Sequence, residues 1–459
     1  MEKTAALILA AGEGKRMKSA KAKVLHEVLF KPMLDWVSDS VLESGIEEIC
    51  IVTGHLSEQV EEHIGGRFST VRQTERLGTA HAVLQAKNFL LANGIRDVVI
   101  LCADAPFVGS DVLKESYALH KSSQNAVTVI TAETEDPYGY GRILRDGEGN
   151  VCRIAEEKDA TSEEKSIREI NSGAYWFEVS ALLDAIARIK NKNAKGEYYL
   201  TDAVALLAEA GRKCGAVRSD MSVTAAANDR RQLMELNAKA RRAALDRLYE
   251  EGVSIVDESG IIVGPDVKIG RDTTLLPGTI LRGKCVIGQG CVIGPNSLID
   301  SCEFGDEVVF NASQAYRSKI GSRATIGPFV HIRPNSVLHE KVHVGDFVEI
   351  KNSEIGEGTK VPHLTYVGDS DVGGGVNFGC GCVTVNYDGV SKSRTKVGDG
   401  AFIGCNTNLV APVEVGKNAY TAAGSTITRD VPENALAVAR SRQQNLEGWV
   451  TKKRPAKKN

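Results

Sequence analysis

The sequence predicts a two-part chain: an α/β, Rossmann-like domain with a mostly parallel sheet, then a parallel β-helix of hexapeptide repeats. Three observations carry that prediction. The first is a ladder of aliphatic residues spaced by six: Val263, Ile269, Leu275, Leu281, Ile287, Ile293 and Ile299. It resumes at Ile320, Ile326, Ile332, Leu338, Val344 and Ile350, and again at Val397, Ile403, Leu409 and Val415. A helix repeats near 3.6 and a plain strand near 2, so a period of six needs short strands joined by tight corners, which is a solenoid. Gly264, Gly270, Gly288 and Gly294 are expected to supply corner dihedrals that a Cβ resists. The second observation is the alternation of ALILAA, PMLDWVSDSVLESG, EEICIVTG, a helical stretch near Ala80 to Leu91, and DVVILCAD. Such alternation favours a parallel sheet covered by helices. The third is DRRQLMELNAKARRAALDRLYEE, rich in helix formers, with Leu233, Leu236, Ala240, Ala244 and Leu248 on one stripe. At 1.5 Å per residue this linker helix reaches about 30 Å. The expected organisation is residues 1–230, a linker helix over 231–250, and the solenoid with its tail over 251–459.

A chain of 459 residues exceeds the size of one growing core, which agrees with two domains. A charged fraction of 25% and a net charge of -3 exclude a strong bias towards nucleic acid. No apolar run approaches the ~18 residues that span a bilayer, so a cytoplasmic protein without membrane insertion is expected. Ten cysteines are scattered, and Cys380 and Cys382 have no nearby Cys or His cluster to complete a zinc site. Reduced, mostly buried thiols are the expectation. The tail residues Lys452, Lys453, Arg454, Lys457 and Lys458 read as a solvated end.

Ligands on parallel sheets bind beyond the carboxyl ends of the strands. Gly12 and Gly14 follow the first strand, and Asp104 follows VVILC, so both point to one edge. In Leu9-Ala10-Ala11-Gly12-Glu13-Gly14-Lys15-Arg16-Met17 small residues let backbone N–H groups approach a phosphate, and Arg16 and Lys23 add positive charge. The loop lacks the third glycine of a dinucleotide fingerprint and the Gly-Lys-Ser/Thr ending of a P-loop, and alone it reads as well as a tight turn. On the ladder, Arg333 and Lys351 directly follow Ile332 and Ile350, three hexads apart. They are expected to stack on neighbouring coils about 4.8 Å apart. Two bare cations at that spacing repel by roughly 0.9 kcal/mol in water, so an anion such as a sugar phosphate is expected between them, with a solvated charge ladder as the alternative.

The glycine loop continues into Lys18-Ser19 and Lys23-Val24-Leu25-His26. Gln73 with Leu77-Gly78-Thr79-Ala80-His81, Asp104-Ala105-Pro106, Tyr140-Gly141-Arg142-Ile143, Glu156-Glu157-Lys158-Asp159-Ala160, Glu169-Ile170-Asn171-Ser172-Gly173 and Gly196-Glu197-Tyr198-Tyr199-Leu200-Thr201-Asp202 follow. This set resembles the sugar-nucleotide pyrophosphorylases, nucleotidyltransferases that join a sugar 1-phosphate to a nucleoside triphosphate. With the solenoid, taken as left-handed, nearly the whole chain resembles the bacterial family that combines such a domain with a glucosamine-1-phosphate acetyltransferase. The resemblance implies acetylation of glucosamine 1-phosphate by acetyl-CoA. It then implies coupling of the product to UTP, with Mg²⁺, to give UDP-N-acetylglucosamine for cell-envelope synthesis, in a homotrimer.

By that resemblance Leu9, Ala10, Ala11, Gly12, Lys23, Gln73, Gly78, Thr79, Cys102, Ala103, Asp104, Gly141, Glu156, Asn171 and Asn228 surround the nucleotide sugar. Ala11, Gln73 and Gly78 recognise uracil, Asp104 and Asn228 hold Mg²⁺, and Arg16 and Lys23 offset charge during transfer. Arg333, Lys351, Tyr366 and Asn377 form the sugar-phosphate pocket of the solenoid, with His363 as general base. Cys380, Asn386, Tyr387, Cys405, Ala423 and Arg440 contact acetyl-CoA, and Asn386 opens a loop where the hexad phase breaks. Three positions depart from the family's pattern. Ala22 stands where proline commonly precedes the lysine, which is expected to loosen the loop presenting Lys23, Ala103 stands where glycine is frequent, and Cys405 replaces a common serine, a better hydrogen-bond donor. A related pyrophosphorylase with a merely structural solenoid is the first rival, opposed by Arg333, Lys351, His363, Tyr366 and Asn386. A silent assembly subunit is the second, opposed by Arg16, Lys23, Asp104 and Asn228.

Overall fold

The computed structural model describes residues 3–454, so Lys457 and Lys458 of the basic tail lie outside the described residues. The chain divides into two compact units, 1–240 and 241–459, and the division falls inside the helix Arg230–Glu250.

The first unit is built on a sheet of nine strands. In chain order these are β1 (Thr4–Ala10), β2 (Glu48–Thr53), β3 (Ser69–Arg72), β4 (Asp97–Cys102), β5 (Val127–Glu133), β6 (Arg142–Arg145), β7 (Val151–Ala155), β8 (Glu169–Glu178) and β9 (Cys214–Arg218). Their order is β9-β5-β8-β4-β1-β2-β3, with β6 pairing β8 and β7. All main-path pairs are parallel except those of β8, which runs antiparallel to β4 and β5. After Thr4, β1 is apolar because both of its faces are covered: Ala5 and Leu7 enter one core, and Ala6, Ile8 and Ala10 the other. The expected helical stretch near Ala80 to Leu91 is two helices, Thr79–Gln85 and Lys87–Ala92, broken at Ala86.

In the second unit, strands of two to four residues form three parallel sheets of eleven, ten and nine strands. Val263 pairs with Leu281 and Leu281 with Ile299, so one coil is three hexads, and every predicted rung is buried. The apparent gap between Ile299 and Ile320 is filled by Phe304, Phe310 and Ala315, which pair with Ile287, Ile293 and Ile299. Five-residue steps had hidden them from a strict period of six. Two of the corner glycines, Gly270 and Gly288, have a different task from the one expected. Gly294 does adopt a left-handed φ of 107°, but Gly270 and Gly288 do not, and a Cβ on Gly270 would stand 2.6 Å from the Gln289 nitrogen of the next coil. Close coil approach excludes the side chain there. Left-handed corners are mostly taken by residues such as Asn296, Phe329, Phe347 and Asn406.

The helix Arg230–Glu250 is packed along its length. Leu236, Ala240 and Leu248 are buried as the stripe requires, Leu233 and Ala244 only half so, and Leu245 joins them. Leu245 and Leu248 belong to the solenoid core, and Arg241 Nε donates to the Ile261 carbonyl at 2.7 Å, so this half of the helix caps the first coil.

Candidate active sites

β1 and β4 run in parallel with Leu9 level with Cys102, so the loops that follow them leave the sheet at one edge. Lys23 returns across that edge from the short turn Lys23–Leu25. Its Nζ donates to Asp104 Oδ2 and, at 2.8 Å, to Asn228 Oδ1. The two oxygens expected to hold a metal therefore converge on one cationic nitrogen. Such a pair suits Mg²⁺, which takes one or two carboxylates and completes its octahedron with water and phosphate oxygens. Gly14 has φ 63°, and a Cβ on it would lie 2.8 Å from Lys23 Cβ, so the second glycine of the loop makes room for the lysine. Arg16 is exposed on the turn Lys15–Met17.

Two hydrogen bonds oppose the loosening expected at Ala22. Ala22 N–H donates to Gln59 Oε1 at 2.9 Å, and Gln59 Nε2 donates to the Ala20 carbonyl at 2.9 Å, so one amide clamps the loop. A proline has no N–H to give. Gln59→Ala is therefore expected to lower several-fold the turnover of a reaction that uses Lys23, and Ala22→Pro in the same chain to recover it, because φ at Ala22 is already -54°. Equal turnover in wild type and Gln59→Ala would remove this role.

The remaining nucleotide-sugar candidates line the same edge. Gln73 Nε2 donates to the Gly78 carbonyl at 3.1 Å, Thr79 opens the next helix, and Ala103 N–H donates to the Leu9 carbonyl at 3.1 Å. A Cβ on Gly54 would come within 2.7 Å of Ala11 Cβ, a close approach that the sequence analysis missed. Asn171 N–H donates to the Gly141 carbonyl at 2.9 Å, and Asn171 Nδ2 to the Tyr175 hydroxyl at 2.6 Å. Buried Arg142 pairs with Glu157 at 2.7 Å, beside Glu156, whose Oε1 accepts from Thr201 at 3.0 Å. Burial pushes the Cys102 thiol up to about 12, so it stays protonated as a packing group.

The solenoid gathers its candidates along one corner. Asp346 is in register with His363, and their carboxylate and Nδ1 lie 3.0 Å apart. Lys360 pairs with Asn377, which sets Cys380 level with His363 one coil on. Hydrogen bonds from Asn406 N to the Cys380 carbonyl and from Gly424 N to the Cys405 carbonyl continue the column to Cys405 and Ala423. Arg440 Cδ lies 3.8 Å from where a Gly424 Cβ would be. Cys405 is exposed, and the adjacent Cys382 thiol is raised to about 11 by burial.

Beside this corner, Ile332 pairs with Ile350, which places Arg333 next to Lys351 as expected. The two cations are not bare: Arg333 Nη1 donates to Glu349 Oε1 at 2.9 Å and Lys351 Nζ to Asp369 Oδ2 at 3.3 Å. Asp369 also accepts from Asn386, which lies 3.4 Å from the Tyr366 hydroxyl, and from Asn352 at 2.6 Å. These bonds hold the Asp369 carboxyl below its usual range against its burial. A third cation was missed. The loop after Asn386 folds back through the Tyr387–Lys392 bridge, and the Lys351 ammonium beside it drives the Lys392 amine below the ordinary lysine range. Asp346 was missed as well. Its separation of 17 from His363, one coil, was the available signal.

An α/β sheet with a cation-bridged Asp–Asn pair, followed by a hexapeptide β-helix bearing a His–Asp pair, defines a nucleotidyltransferase joined to an acyltransferase. The Nucleotidyl transferase family model matches residues 5–222, and the Bacterial transferase hexapeptide model matches 260–301 and 394–429, the latter marking the left-handed form of the parallel β-helix. The chain is 50% identical over 450 residues to the bifunctional protein GlmU of Caldanaerobacter subterraneus subsp. tengcongensis, and 51% identical to that of Thermoanaerobacter pseudethanolicus, with 98% of each chain covered in both. It is 48% identical over 455 residues to that of Acetivibrio thermocellus, covering 99% of this chain and 98% of the relative. The chain belongs to the bifunctional protein GlmU family. It is an enzyme of two activities: it acetylates glucosamine 1-phosphate with acetyl-CoA and couples N-acetylglucosamine 1-phosphate to UTP, giving UDP-N-acetylglucosamine and pyrophosphate. No helix among the described residues is long and apolar enough to cross a membrane.

Proposed function

We propose that residues 1–230 carry uridylyl transfer and 251–459 acetyl transfer, on the two residue sets described above. At the first site a phosphate oxygen of N-acetylglucosamine 1-phosphate attacks the α-phosphorus of UTP and pyrophosphate leaves. Both reactants are anions, so positioning and charge neutralisation supply most of the rate. Lys23 and Arg16 face the phosphates, Ala11, Gln73 and Gly78 the uracil, and Gly141, Glu156, Asn171 and Asn228 the sugar and ribose. Asp104 and Asn228 hold Mg²⁺, which when bound offsets charge on the triphosphate. The convergence of Asp104, Asn228 and Lys23 supports this assignment.

At the second site Arg333, Lys351 and Lys392 receive the phosphate of glucosamine 1-phosphate, with Tyr366 and Asn377 beside the sugar. Ionised Asp346 can only accept a hydrogen bond, so His363 carries its proton on Nδ1 and leaves Nε2 free to take one. Nε2 removes the proton from the substrate amine as its nitrogen attacks the acetyl carbonyl, and the coenzyme leaves as thiolate. No acyl-enzyme forms. Asn386, Tyr387, Cys380, Cys405, Ala423 and Arg440 line the coenzyme.

The enzyme works in the cytoplasm as a homotrimer. Phe347 and Leu364 directly follow Asp346 and His363, are exposed, and with Phe329 form an apolar ladder in which Phe329 and Phe347 stack at 5.3 Å. A neighbouring solenoid covers such a ladder and closes the acetyl site. Sedimentation at three times the chain mass checks this. The reading as a whole is tested by supplying glucosamine 1-phosphate, acetyl-CoA, UTP and Mg²⁺ and following coenzyme A and pyrophosphate separately. Release of both is expected, and release of only one leaves the other site unsupported.

A further inference from the structure

A neutral imidazole offers one acceptor nitrogen, and two amides compete for that of His81. Gln73 is 5% exposed, and its Nε2 lies 3.1 Å from the Gly78 carbonyl oxygen and 3.1 Å from His81 Nδ1. On the other side, Gln85 Nε2 lies 3.2 Å from His81 Nε2 and donates to the His81 carbonyl at 3.0 Å. Both ring nitrogens cannot accept. Gln85 is half-buried and can turn towards water, whereas Gln73 is enclosed, so Nδ1 accepts from Gln73 and Nε2 carries the proton.

The Gly78 carbonyl enforces the same orientation of the Gln73 amide, because a carbonyl can only accept. That carbonyl is itself held in place. Gly78 has φ 117°, and a Cβ on it would stand 2.5 Å from the Tyr198 carbonyl oxygen, so only glycine fits. Both Nε2 hydrogens of Gln73 are thereby engaged, and no hydrogen bond among the described residues uses its Oε1. The atom left for a ligand is a pure acceptor.

We infer that His81 is a specificity-determining positioning residue: by accepting from Gln73 Nε2 it holds the Gln73 amide so that Oε1 meets the base. The inference rests on the proposed role of Gln73 at the uracil. Uracil presents N3–H, a donor that satisfies Oε1. Cytosine presents an unprotonated N3, which sets two acceptors against each other, and a buried polar mismatch of this kind is strongly selective.

The test compares kcat/KM for UTP and CTP with N-acetylglucosamine 1-phosphate and Mg²⁺. His81→Phe keeps an aromatic ring and removes the acceptor, so the UTP-to-CTP ratio is expected to fall about tenfold, the effect of one unmade buried hydrogen bond. Gln73→Leu is the control for the underlying reading. If it leaves the ratio unchanged, Gln73 does not read the base and the uracil assignment fails. If Gln73→Leu lowers the ratio and His81→Phe does not, the uracil assignment stands and the role of His81 is overturned. Should His81→Phe be inactive with both nucleotides, His81→Ala, which also removes the acceptor, takes its place: a ratio lowered towards that of Gln73→Leu supports the inference, and a ratio near wild type overturns it.

Discussion

Replacement of His363 by alanine is expected to slow release of coenzyme A from glucosamine 1-phosphate and acetyl-CoA by about 10²- to 10⁴-fold, the usual contribution of a placed general base. Pyrophosphate release from UTP and N-acetylglucosamine 1-phosphate is expected to persist, since no residue is shared between the two sets. The expectation rests on the 3.0 Å contact between His363 Nδ1 and Asp346, which selects the tautomer with an open Nε2. The same contact holds the Asp346 carboxyl below its usual range, so it stays ionised while the histidine works. Asp346→Asn keeps the shape but no longer selects that tautomer, and a fall of about tenfold or more is expected with little change in the KM for acetyl-CoA. Near-normal acetylation by His363→Ala would falsify the assignment of the base.

The second large effect belongs to Asp104→Ala. Its carboxylate meets the Lys23 ammonium beside Asn228, so its loss removes the partner of Lys23 and, on the proposed reading, the metal's anchor. Uridylyl transfer is expected to drop about 10³-fold, on the scale of losing a preorganised charge-stabilising group. Added Mg²⁺ is not expected to restore it, because Asn228 alone offers a neutral oxygen. Acetyl transfer on the same polypeptide serves as the internal standard for folding. Uridylyl turnover within tenfold of wild type would place the metal elsewhere.

The solenoid was legible because its signal is local: each rung recurs within one face, and Arg333 and Lys351 could be set on adjacent coils by counting residues. Counting failed where the step shortened to five, so Phe304, Phe310 and Ala315 went unread although they fill the same core. It also failed for Lys392, whose position depends on a loop folding back rather than on a coil. In the first unit the strand ends were predictable from apolar runs bounded by glycine and aspartate. The Gln59 clamp on Ala22 was not, because nothing in the helix Ser57–Ile64 distinguishes a glutamine that reaches a loop 37 residues away.

Read alone, the amino-acid order determined the two-part architecture and pointed to the sheet edge and the side chains of the proposed sites, because periodicity and strand-end motifs are short-range properties. Only the tertiary structure decided which charges share a point. Lys23 meets partners 81 and 205 residues away, and Asp369 gathers Lys351, Asn352 and Asn386 around one carboxylate. Such meetings are products of sheet order and coil register, and hydrogen bonds and ion pairs act only over a few ångströms.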